Sequence, residues 1–247
     1  MRTMKLKTLI LGLMVIGLAS CGSDSSEALT LNFKMVYDDE PLVMFSPYTY
    51  PDGREIEFSR VSFYLSDFQL TDEDGVASQI SEVAYLDLSA SHSDLAKAQT
   101  GLDYTIEFDE SMNYESLSFN FGLTDAQNAT TPEDYNSSSP LSLSGEYWSN
   151  WGSYVYVKVE GRIDLDGDGI SDGFALHLGS ETARRNLTLD NLGSAASINL
   201  EMDLYRLFDN DGEVYDIDAN PRIHSLNQLD QTDLLMDNFM SSMSFDY

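Results

Sequence analysis

Residues 148–179 read WSNWGSYVYVKVEGRIDLDGDGISDGFALHLG. From Tyr154 onward the side chains alternate. Tyr154 and Tyr156 share one face of an extended segment, and Val155, Val157 and Val159 share the other. That period of two is the mark of a strand. An Asp- and Gly-rich connection follows, and then a second apolar strand over residues 174–178. The stretch predicts two β-strands, with the valine face in the core and the tyrosines covering an opening. It also holds both tryptophans of the chain and one of its three histidines, His177.

The rest of the chain extends the β reading. Residues 29–37, 83–88, 103–109, 116–123 and 196–204 are expected as strands. Residues 55–70 carry apolar side chains at 56, 58, 61, 63, 65, 68 and 70. Ser59-Arg60 breaks their alternation, which suggests a turn or short helix there. Asn210-Asp211-Gly212 predicts a hairpin turn between strands at 204–208 and 213–217. Residues 124–140, rich in Asn, Ser, Thr and Pro, read as a long loop. Only residues 233–243 look helical, with Asp230 or Thr232 as N-cap and Leu234, Leu235, Phe239, Met240 and Met243 on one face. No internal repeat is present. The expected fold is all-β: one antiparallel β-sandwich domain over residues 29–247 with a short C-terminal helix.

Residues 1–20 are not expected to join that domain. Arg2, Lys5 and Lys7 precede a short apolar run at residues 9–18, and Leu18-Ala19-Ser20 leads to Cys21, the only cysteine. The run is too short for a spanning helix and ends in small residues, as a signal peptide does. A cysteine at the cleavage point is the bacterial lipoprotein pattern. Residues 1–20 therefore read as a lipoprotein signal peptide, Cys21 as the lipidated residue, and residues 21–28 as a tether. Gly22 after the cysteine fits sorting to the outer membrane, facing the periplasm or the cell surface. With Cys21 so used, neither a disulfide nor a cysteine zinc site is possible.

The chain has 13 Lys and Arg against 42 Asp and Glu, a formal net charge of −29. Loss of the three basic residues of the signal peptide makes the mature chain more acidic still. Such a surface repels phosphate backbones and excludes nucleic acid as a natural partner. Divalent cations and basic partners remain compatible with it.

Asp164, Asp166, Asp168 and Asp172 stand at positions one, three, five and nine of a loop whose sixth position is Gly169. Calcium takes six to eight oxygens and needs a tight turn to converge them, which matches this spacing. Position twelve is Ala175 rather than glutamate. The loop therefore departs from an EF-hand, and Glu181 or Glu160 is expected to complete the shell of a structural calcium. An ion-free Asp/Gly turn is the competing reading.

The histidines lie far apart in sequence, so only the fold can bring two together. His177 has apolar neighbours, His92 sits in a polar loop and reads as solvated, and His224 follows Pro221-Arg-Ile. There is no G-x-S-x-G, no glycine-rich phosphate loop and no cysteine nucleophile, so the chain is expected not to be an enzyme.

Several segments, in order, resemble the MbnP-like family. These are Leu31-Asn-Phe33, the stretch from Glu57 through Phe-Tyr64-Leu-Ser66 to Leu70, Leu86-Asp87 and Phe119-Asn-Phe-Gly122. Tyr147-Trp148, Trp151-Gly-Ser-Tyr154, Lys158-Val-Glu160-Gly161, His177-Leu-Gly179 and Asp237-Asn238-Phe-Met complete the series. The family comprises secreted or lipoprotein β domains named after a periplasmic copper-binding protein of methanobactin operons. The resemblance implies a copper site built from histidine and an oxidised tryptophan, with His177 and Trp148 in those roles and Trp151 as second choice. It also implies a diheme peroxidase-like partner that makes the modification. Two departures stand out. Phe33 is followed by Lys34 and Met35 where a first-strand histidine is usual, so Met35 or His224 has to substitute. Glu146 replaces the usual methionine before the first tryptophan. The functional expectation is a non-enzymatic metal-binding lipoprotein of the cell envelope. The alternative is a surface adhesion or accessory module that binds a protein or glycan and is stiffened by calcium.

Overall fold

The computed structural model describes residues 26–109, 114–193 and 195–247. Residues 1–20, expected as a signal peptide, and Cys21 lie outside them. The longer strands are β1 (Ser26–Tyr37), β2 (Glu55–Thr71), β3 (Ala77–Asp87), β4 (Leu102–Asp109), β5 (Ser116–Phe121), β6 (Ser153–Ile163), β7 (Asp172–Gly179), β8 (Arg185–Leu189), β9 (Ser197–Asp203) and β10 (Met243–Asp246). The first begins before the expected residue 29 and takes up the end of the expected tether.

Two sheets result. One runs β10-β9-β1-β4, and the other runs β8-β5-β2-β6-β7 with β3 on the far edge of β2. Most pairs are antiparallel, as expected for the sandwich. Two are parallel: β1 with β9, and β7 with the two-residue strand Arg222–Ile223. Neither was foreseen, because parallel neighbours are distant in sequence and leave no local turn signal.

β2 organises the second sheet. Its first half pairs with β6 and its second half with β5, while β3 follows the opposite edge. The break at Ser59-Arg60 is neither a turn nor a helix. It is a register shift between Phe58 and Arg60 that leaves the strand continuous, as a bulge does.

Between the sheets lies an aromatic core. Phe33 of β1 meets Phe63 of β2 edge-on at 5.6 Å, and Phe239 of a C-terminal helix lies 6.1 Å from Phe63 and 5.5 Å from Phe121. T-shaped pairs of this kind add to the area they bury. The outer face of the second sheet is buried as well, which corrects the expectation for the tyrosines. The Tyr64 hydroxyl donates to the Pro140 carbonyl at 3.0 Å and Tyr154 to the Leu141 carbonyl at 2.8 Å. The long polar loop thus roofs Tyr64 and Tyr154, and Tyr154 and Tyr156 are both fully buried.

Helices are α1 (Leu95–Thr100), α2 (Asp125–Asn128), α3 (Leu204–Phe208) and α4 (Leu229–Ser241). The last is the expected C-terminal helix, but it starts earlier. Asp230 and Thr232 fall within its first turns rather than capping it, and Met243 opens β10. Residues 204–208 were read as a strand and are α3. Asp203 caps it by accepting the Tyr205 N–H at 3.0 Å, and Leu204, Leu207 and Phe208 bury one helical face. The hairpin across Asp211-Gly212 exists, with strands of only two residues each.

His92 is also corrected. It is fully buried and accepts the Met35 N–H on Nε2 at 3.0 Å, with Nδ1 3.0 Å from the Leu88 carbonyl. Burial lowers its pKa, so it stays neutral and ties β1 to the turn after β3.

Candidate metal centre

Lys158 and His177 are direct cross-strand partners on β6 and β7. On the other side of β7, the parallel pairing with Arg222–Ile223 ends at Leu176 opposite Ile223. The next residue on each strand is a histidine, and parallel neighbours project to the same face. His177 and His224 therefore meet, with ring centroids 4.6 Å apart and planes at 84°.

A short hairpin adds the indoles. Tyr147–Trp148 pairs with Ser153 and Tyr154, and the intervening turn stacks Trp151 on Trp148 at 5.6 Å. Trp148 lies 4.8 Å from His224 and 5.8 Å from His177. The Trp151 indole N–H donates to the His224 carbonyl at 2.7 Å. Gly179 makes room for this arrangement, since a Cβ there would come within 2.6 Å of the Trp151 ring.

The two histidines are unequal in their polar contacts. His177 is 9% exposed, and its Nε2 lies 2.6 Å from Glu160 Oε1. The same hydrogen bond holds the Glu160 carboxyl below its usual range. His224 is half-buried, and desolvation, followed by the neighbouring His177, lowers its pKa, which favours the neutral ring. The Nδ1 atoms of both His177 and His224 are buried without any hydrogen-bond partner. Buried polar atoms are rarely left so, and a neutral imidazole nitrogen is a ready metal donor. This donor pair fits an imidazole-coordinated metal such as copper.

Beside His177 lies a charge cluster in which Glu146 and Lys158 are buried and Arg60 is partly exposed. Glu146 pairs with Lys158 and with Arg60, each at 2.8 Å, and Lys158 also donates to the Gly145 carbonyl at 2.6 Å. Arg60 further reaches the Tyr85 hydroxyl at 2.8 Å.

The aspartate loop joins β6 to β7 at the far end of the hairpin. Carboxylate oxygens of Asp164, Asp166 and Asp172 lie within 4.8 Å of one another, and Asp168 is outside this group. Asp164 accepts the N–H groups of Gly167 at 2.8 Å and Gly169 at 2.9 Å, while Asp168 accepts that of Ile170 at 2.8 Å. Glu160 does not complete the loop's shell, because its carboxylate faces His177. Three of the four aspartates thus converge, and Trp148 and His177 form a separate cluster. His224 joins that cluster, whereas Met35 is buried in β1 of the first sheet.

A family model for MbnP matches residues 26–225. The chain belongs to the MbnP family. The match spans Trp148, His177 and His224 and stops before α4 and β10. Among solved structures, MbnP from Methylosinus trichosporium is similar, at 17% identity and a TM-score of 0.56. The similarity covers 74% of this chain and 78% of that one. At that identity it speaks for a shared MbnP fold. None of the curated proteins matches the chain. Of the histidines clustered here, the sequence marked His177 through its His-Leu-Gly context. His224 had no comparable motif and was expected only, beside Met35, as a substitute for the missing first-strand histidine.

Proposed function

We propose that this MbnP-family protein is a non-enzymatic, lipid-anchored binding protein of the bacterial cell envelope whose cargo is copper. The observation that carries the reading is the pair of buried, unpartnered Nδ1 atoms on His177 and His224 beside Trp148. The two histidines would hold the ion, and Trp148 would close the site as the residue that a diheme partner oxidises. Imidazole nitrogens are among the donors that suit copper. Cys21 would carry the lipid that anchors the domain to the outer membrane.

The test is Cu(I) titration of protein purified without added metal, against a chromophoric competitor. The wild type takes up one equivalent, while H177A and H224A each lose stoichiometric binding. Unchanged uptake in both variants would falsify the site.

Calcium in the aspartate loop is a second, structural part of the proposal, supported by the convergence of Asp164, Asp166 and Asp172. At a hundredfold excess over its Kd, calcium stabilises the fold by about 2–3 kcal/mol. The melting temperature therefore rises with calcium in the wild type and not in D166A. An equal rise in D166A rules this loop out.

A further inference from the structure

Glu160 lies on β6 two residues after Lys158, and its Oε1 is 2.6 Å from His177 Nε2 on the adjacent strand. An ionised carboxylate only accepts hydrogen bonds, so Nε2 must be the donor. A neutral imidazole protonated at Nε2 carries its lone pair on Nδ1. Nδ1 of His177 is the atom left buried and unpartnered, on a ring whose centroid lies 4.6 Å from that of His224.

We propose that Glu160 is a positioning residue that holds the His177 ring in the Nε2–H form and turns its Nδ1 lone pair toward bound copper. The proposal rests on the reading of His177 and His224 as ligands. It assigns Glu160 no contact with the ion, since its nearest oxygen is engaged on the opposite side of the ring. Glu160 is itself held in place. It is the direct cross-strand partner of Arg60, which is tied down by Glu146 and Tyr85. A carboxylate behind a metal-bound histidine fixes the orientation of the ring and raises its basicity. Loss of such a partner weakens metal binding by about 10- to 100-fold.

The experiment compares the wild type, E160A and E160Q by Cu(I) competition and by nitrogen and proton NMR of the His177 ring in the metal-free protein. E160A is expected to bind Cu(I) about 10- to 100-fold more weakly. E160Q retains an acceptor oxygen and keeps most of the affinity. In the wild type and E160Q the His177 Nε2–H proton is downfield and protected from exchange, and in E160A that signature is lost. A residue with a merely structural role would not be rescued by glutamine in this way. Wild-type affinity in E160A overturns the proposal. So does a wild-type His177 ring protonated at Nδ1, a result that needs no variant to fold. Unaltered binding in H177A and H224A marks a different failure, that of the ligand assignment itself.

Discussion

Replacement of Glu146 by alanine is expected to destabilise the domain by about 3–5 kcal/mol. The side chains of Glu146 and Lys158 are only 7% and 6% exposed, and their charged atoms are 2.8 Å apart. Arg60 is the second cation on the same carboxylate, at 2.8 Å. Removal of the anion leaves the Lys158 ammonium buried without a counter-charge, while Arg60, 30% exposed, keeps water and Asp87 at 3.8 Å. The cost is that of stranded buried charge, not merely of a lost contact. A surface ion pair such as Lys97 with Asp94, both more than half exposed, is worth far less. Chemical denaturation of E146A and K97A separates the two cases. Exchange of both partners, E146M with K158M, should recover part of the loss, because an apolar pair of similar volume needs no compensation. A loss below about 1 kcal/mol in E146A would show that water reaches the pair, contrary to its burial.

Glu146 also shows how far residue identity could be read from sequence. As a departure from the family pattern it was visible, but its role was not, because Arg60, Lys158 and Glu146 come from three segments that only the sheet assembles. The strands at residues 29–37, 103–109 and 153–163 were legible, since each has a half-buried or valine-lined period of two. α4 was legible as a helix and misplaced at its start, because no side-chain cap marks Gln228. α3 was lost because five residues are too few to show a helical period against the β pattern around them, although Asp203 stood in the capping position. His92 was misread because Ser-Ala-Ser-His-Ser-Asp looks solvated, and its burial depends on the Met35 N–H of β1 reaching across to donate to its ring. The pairing of His177 with His224 depends on a two-residue parallel strand, an element below the resolution of any periodicity argument. The aspartate spacing named three residues that converge and a fourth, Asp168, that turns instead to its own backbone.

Substitution of Gly161 by alanine is expected to be at least as damaging as loss of Glu146, at ~3 kcal/mol or more, the upper end of the cost of overpacking. Gly161 stands on β6 between Phe58 on β2 and Phe174 on β7, its direct partners on either side. The two rings meet edge-on at 6.1 Å in the space a side chain would have filled. A Cβ at this position would lie 2.0 Å from the Glu57 carbonyl oxygen and 2.7 Å from the Phe174 ring. The ring could swing only by disturbing Phe208, 6.1 Å from it, and the carbonyl is part of the backbone of β2 at its bulge. Relief of the clash therefore requires β2 and β6 to separate where the two halves of the second sheet join. The hairpin that carries Lys158, Glu160 and His177 would move with β6, so copper binding should fall together with stability. Gly145 provides the control, since a Cβ there meets nothing within 4 Å. G145A should change stability by less than about 0.5 kcal/mol, as open surface sites do. If G161A unfolds at the wild-type denaturant midpoint, the close approach of β2 to β6 is wrong, and with it the register that aligns Glu160 with His177.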